Sequence, residues 1–257
     1  MNRFSSLEFE DAEGKRPRKS TPGEPVRDAN YFYREAMGCY LAGDFEQALR
    51  NYSRALERNS VFLEAWAGQI RMLIELGEYP EAVIWADKAL EAFPNHPELI
   101  AAKAAACLRD AKPEKAMGFS DFSISQENAG PWVWLARAEV LMERKSRIGQ
   151  ECLGKALLEA GEAVNLIRLE AGRIDVRYGH YSAALELLEK TVRVWPKSAL
   201  AWYELGRCRS HLGFSEAKAA LEEALRLRPN WRPAAAELDR LKRTGPLKRA
   251  WRRFFAR

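Results

Sequence analysis

The side chains able to do covalent or acid–base chemistry are few in this 257-residue chain, and they are scattered. Its three histidines, His96, His180 and His211, lie 84 and 31 residues apart, so a catalytic dyad or a metal triad would have to be assembled from distant segments. Cys39, Cys107, Cys152 and Cys208 are separated by 68, 45 and 56 residues and include no close pair of the kind that makes zinc sites. They read as small apolar fillers of helix contacts, and no disulfide framework is expected. Carboxylate pairs such as Glu186 and Glu189, or Glu222 and Glu223, sit beside Lys and Arg on helical stretches, where solvation and helix pairing account for them. The sequence contains no Gly-rich phosphate loop, no HExxH and no nucleophile elbow. No catalytic residue, metal or cofactor is expected, and the chain reads as a non-enzyme.

What the sequence does contain is a period. Gly43, Gly77, Gly179 and Gly213 fall 34, 102 and 34 residues apart; Ala48, Ala82, Ala116 and Ala184 fall 34, 34 and 68 apart; Trp66, Trp134 and Trp202 are each 68 apart. Self-similarity at this period marks a solenoid built from one repeated supersecondary unit, which grows by adding neighbours rather than by enlarging one core. Within a period the order is a helical stretch, a glycine, an aromatic, a second helical stretch and often a proline. The second unit shows it: Trp66 to Glu75 has helical spacing, Gly77 supplies a left-handed turn, Glu81 to Phe93 reads as the second helix and Pro94 closes it. Ala82, Ala86 and Ala89 recur on one face of that second helix and let a neighbour approach closely.

In Trp66, Ile70, Gly77, Tyr79, Ala82, Ala89 and Pro94 the chain resembles the tetratricopeptide repeat family, whose unit has 34 residues. The resemblance implies an all-α, right-handed solenoid of about six helix pairs, with units beginning near Ala29, Leu63, Pro97, Pro131, Asn165 and Ala199. The resemblance covers the repeat array over 29–230; composition and pattern add a disordered tail over 1–28, a capping helix over 231–244 and a basic segment over 245–257. Units three and four depart most, because Ala111 and Lys145 stand where the turn glycine belongs. The segment Gly118 to Gly130 is rich in glycine, serine and asparagine, which weakens a helix.

The resemblance also implies a function, since the first helices of such units line an inner groove that holds a protein segment. Carried onto this chain, it brings Tyr33, Tyr40, Arg71, Arg109, Arg173, Arg177, Tyr203 and Arg207 to the groove, with Arg71, Arg173 and Arg207 at one register position. Guanidinium forks suit carboxylates and tyrosines give rigid contact area, which fits an extended acidic–apolar peptide bound by a scaffold or adaptor. The same arginines have a second use, pairing with Glu64, Glu75, Glu98 and Glu139 across adjacent helices and ordering the array. The family's clamp for chaperone tails is not present: Tyr33, Met37, Gly68, Glu98 and Ala102 hold its places.

The net charge of +5 belongs to one end. Residues 1–28 are neutral, residues 242–257 carry seven basic and no acidic side chains, and the body between is left at −2. A slightly acidic array argues against nucleic acid as a partner, since that binding rests on many phosphate-neutralising cations. In the segment PLKRAWRRFFAR, Leu247, Trp251, Phe254 and Phe255 share one helical arc and basic residues including Arg252 take the rest. Such a segment can dock on an anionic membrane surface, on a partner or on its own array. The start of the chain turns acidic at once and no run approaches 18 apolar residues, so the chain is expected in a reducing cytoplasm. The alternative to the adaptor is a peripheral membrane-associated assembly factor anchored by that segment.

Overall fold

The computed structural model describes residues 27–243. Residues 1–26, and 244–257 with Leu247, Trp251, Arg252, Phe254 and Phe255, lie outside the described residues, as do most of the expected N-terminal tail and the whole basic segment. Among the described residues the helices run α1 (Ala29–Leu41), α2 (Phe45–Arg58), α3 (Leu63–Glu75), α4 (Tyr79–Ala92), α5 (Pro97–Arg109), α6 (Pro113–Ile124) and α7 (Pro131–Glu143). They continue as α8 (Ile148–Leu158), α9 (Val164–Tyr178), α10 (Tyr181–Val194), α11 (Ala199–His211), α12 (Ala217–Leu227) and α13 (Arg232–Arg243). The fold is an all-α solenoid of six helix pairs followed by one further helix. Within each pair the two helices pack antiparallel, and α3 packs on α5, α5 on α7, α7 on α9 and α9 on α11, so the odd-numbered helices form the inner layer.

Local chemistry accounts for the boundaries. Asp28, Asp44 and Ser198 accept hydrogen bonds from backbone N–H groups three residues on, which satisfies free donors at the starts of α1, α2 and α11. Proline occupies the first turn of α4, α5, α6 and α7, where it removes no helical bond. The periodic alanines Ala48, Ala82, Ala116 and Ala184 are all 0% exposed, which shows why a larger residue has no place on that grid. Trp66 and Trp202 each donate their indole N–H to a carbonyl six residues earlier, on Ser60 and Pro196, and so tie one unit to the preceding turn.

Every intra-unit turn is left-handed. Gly43, Gly77, Gly179 and Gly213 have φ of 74°, 81°, 84° and 75°, and the substituted positions Ala111 and Lys145 adopt 55° and 58°. A side chain in this region costs about 1–2 kcal/mol. Replacing Ala111 or Lys145 by glycine is therefore expected to stabilise the chain by about 1 kcal/mol each, once the extra freedom of glycine in the unfolded chain is subtracted. A rise in the urea midpoint checks this, and a fall would show that the turn does not need the left-handed conformation. The weak segment of unit three is helical as far as Ile124; there the Ser125 hydroxyl and the Gln126 amide both donate to the Phe122 carbonyl and end the helix.

The array also does something a nearest-neighbour solenoid does not: its first unit touches its last two. Ser198 Oγ donates to the Leu41 carbonyl at 2.8 Å, and Arg228 donates to the Gly43 carbonyl and lies 3.6 Å from Asp44. The Trp231 ring covers Gly43 so closely that a Cβ there would come within 2.6 Å of it. Trp231 is itself buried against Tyr203, with ring centroids 4.8 Å apart. The solenoid is curled into a ring whose ends meet.

Candidate functional site

Closing the ring turns the inner groove into a pocket that opens to solvent and holds about 90 Å3 of water-accessible space. Its lining comes from α1, α2, α3, α5, α7 and α9. Of the eight residues expected at the groove, Tyr40, Arg71, Arg109 and Arg177 line this cavity. Arg173 is buried behind it, at 5% exposure. Tyr33 packs between Tyr52 and Phe62, while Tyr203 and Arg207 sit beside Trp231 and Glu204 on the last unit. The cavity floor is apolar, formed by Ala101, Ala102, Ala105, Leu135, Ala136 and Leu166.

The arginines around that floor are paired with glutamates. Arg71 binds Glu98 and lies over the Trp132 ring at 3.4 Å. Arg109 and Arg177 converge on one carboxylate oxygen of Glu139, from helices α5 and α9 onto α7. Arg173 is the hub of the ring: it donates to Glu75 at 2.6 Å, to Glu170 at 3.1 Å, to Glu204 at 3.3 Å and to the Tyr40 hydroxyl at 3.0 Å. Tyr40 in turn donates to Glu170. The hub joins α1 and α3 to α9 and α11 across the ring. Glu75, Glu98 and Glu139 are thus the pairing glutamates among those expected from the sequence, and Glu170 and Glu204 join them; Glu64 is in no such pair with these arginines.

Burial sets the protonation of the hub. Desolvation pushes the Glu75 carboxyl up, but the charge and hydrogen bond of Arg173, with Arg177 and Arg109 behind it, hold it net below the usual value of 4.5. For Glu170 desolvation wins over the same arginine and leaves the carboxyl above 4.5. The signs therefore differ. Glu75, depressed, contributes stability that is present above its unfolded pKa and is lost as pH falls through the folded one. Glu170, raised, favours folding below its unfolded pKa and loses that contribution as pH rises through the folded one. Glu75→Gln is accordingly expected to lower the urea midpoint at pH 7 more than Glu170→Gln; the reverse order would contradict this charge assignment.

The groups with chemical potential stay apart. His180 is held by Gln150 and lies 3.3 Å from Asp175, His211 stacks on Tyr181 at 4.4 Å, and His96 packs edge-on to Phe93. All four cysteines are free thiols, and burial pushes the Cys208 thiol up to about 12. Among the described residues there is no cluster of His, Cys, Asp and Glu fit for a metal, and no helix long and apolar enough to cross a membrane.

A tetratricopeptide repeat family model matches residues 40–97 and 169–213. The chain belongs to that family. The SGT1 homolog protein of Oryza sativa subsp. japonica is 36% identical over 75 residues, which are 29% of this chain and 20% of that protein, so the match spans about a fifth of the relative. TTC0263, a TPR protein of Thermus thermophilus, is similar in structure with a TM-score of 0.51 at 18% identity, covering 70% of this chain and 98% of that one. The human IFIT1 dimer solved with m7Gppp-AAAA gives a TM-score of 0.57 at 15% identity, covering 90% and 69%. At these identities the structures show the shared fold.

Proposed function

We propose that the chain is a non-enzymatic adaptor that holds a short protein segment in the ring cavity, with an apolar side chain on the alanine floor and a carboxylate beside Arg177. The fold is that of protein-interaction scaffolds in general; the ligand class rests on one observation. Arg109 and Arg177 share the single carboxylate of Glu139, and the buried Arg109 Nε has no hydrogen-bond partner. That corner is short of one negative group, and a ligand carboxylate supplies it through charge-assisted hydrogen bonds. Elsewhere the arginines are matched by carboxylates: Arg71 faces Glu98, and Arg173, behind the wall, faces Glu75 and Glu170. A phosphate chain needs a run of unpaired cations, so arginines matched by carboxylates favour a protein segment over a ligand such as the m7Gppp-AAAA solved with IFIT1.

The test is an array of peptides that pair one carboxylate with Leu, Ala or Met, probed with the full chain. Arg177→Gln keeps the Arg109–Glu139 pair and removes the free side of the anion corner. The best array peptides are expected to bind the variant about 10–100-fold more weakly by titration calorimetry, the loss of a hydrogen bond to a charged group. Equal affinity for both proteins would rule out the anion corner.

A further inference from the structure

A second concavity lies on the outer face, in units two and three. It holds about 630 Å3 of water-accessible space between α4 and α6 and is lined by Val83 and Asp87 of α4, Lys103 and Cys107 of α5, Lys112 of the turn, and Lys115, Gly118, Phe119 and Phe122 of α6. Gly118 helps to open it: a Cβ there would meet nothing within 4 Å. Phe122 leaves 46% of its surface to solvent, unusual for a phenylalanine on a packed helix. Three lysines and one aspartate give the lining a charge of +2. Lys103 is held between Asp87 and the Phe119 ring, and Lys112 pairs with Asp110, whereas Lys115 stands exposed at the rim. A groove with phenylalanines on its floor and lysines on its rim fits a short segment that alternates apolar and acidic side chains.

This chain carries such a segment. Residues 4–11 read FSSLEFED, in which Leu7 and Phe9 fall on one side of an extended strand and Glu8 and Glu10 on the other, with Phe4 before them and Asp11 after. The basic sequence at the other end, Leu247 to Arg257, has the same sign of charge as the groove and is the poorer match. Reach is sufficient. Residues 12–26 form a 15-residue connection to Arg27 that spans up to about 50 Å, against a radius of gyration of about 17 Å for a compact body of this length. We propose that residues 4–11 dock into the α4–α6 groove of their own chain, with Phe9 against Phe119 and Phe122 and the acidic side chains against Lys112 and Lys115. The segment then covers the exposed Phe122, and any partner that uses this face has to displace it.

Photo-crosslinking of the full chain tests this. With the photoreactive p-benzoyl-phenylalanine in place of Phe9, irradiation is expected to give monomer-sized products joined to peptides of α4–α6 that contain Phe119 or Phe122. The double variant Lys112→Glu, Lys115→Glu, both at exposed positions, is expected to cut that yield by about threefold or more while the thermal melt by circular dichroism is unchanged. Crosslinks that map to the ring cavity or to other helices, products of dimer size only, or a yield untouched by charge reversal would each overturn the proposal. So would the absence of any crosslink above that of a chain with residues 4–11 scrambled.

Discussion

Arg173→Met is expected to lower the unfolding free energy by about 3–5 kcal/mol, the cost of removing one partner from a buried ion pair and leaving the others uncompensated. The size follows from what is stranded. Glu75, Glu170 and Glu204 all lose their guanidinium, and Glu204 has a side-chain exposure of only 4%. Arg207 still reaches Glu204, so part of that charge remains paired. Arg71→Met removes a more exposed pair, Arg71–Glu98 at 23% on each side, and is expected to cost no more than about 1 kcal/mol. Urea unfolding of the two variants compares the numbers directly. Similar losses would mean that the hub is no more than another groove ion pair.

Trp231→Ala is the second large effect. A buried indole removed from a packed site costs about 3–5 kcal/mol, and this one joins α11, through Tyr203, to the α1–α2 turn at Gly43. Its removal weakens the contact that closes the ring, so the variant is expected to show a larger hydrodynamic radius as well as a lower melting temperature. A lower melting temperature with an unchanged radius would mean that Trp231 is only a packing residue of the last unit.

The parts of this structure that were legible in the sequence are the parts whose causes are local. Gly43, Gly77, Gly179 and Gly213 mark turns because a left-handed residue is needed there, and the alanine grid marks packing because each alanine is fully buried. Ala111 and Lys145 obscure the period in units three and four, yet both take the glycine conformation, because the packing of paired helices fixes the turn even where the residue resists it. The register of the inner helices likewise brings Tyr40, Arg71, Arg109 and Arg177 to the cavity. What register does not encode is whether an arginine faces a ligand or a glutamate. Glu170–Arg173 and Glu204–Arg207 can be read as helix pairs three residues apart, but their burial is not visible in that spacing. The pairing of Arg173 with Glu75 bridges 98 residues, and the contact of Ser198 with Leu41 bridges 157. Both arise from the curvature accumulated over four or five units, which no single window of sequence carries.

The ring closure is the central claim, and a double-mutant cycle on Glu75 and Arg173 tests it most directly. In an open array each unit touches only its neighbours, so substitutions in the second and fifth units add within about 0.3–0.5 kcal/mol. In the closed ring the two side chains are 2.6 Å apart. Urea unfolding of Glu75→Ala, Arg173→Met and the double variant is expected to give a coupling energy of at least about 1 kcal/mol; additive losses would show that the second and fifth units do not meet across the ring.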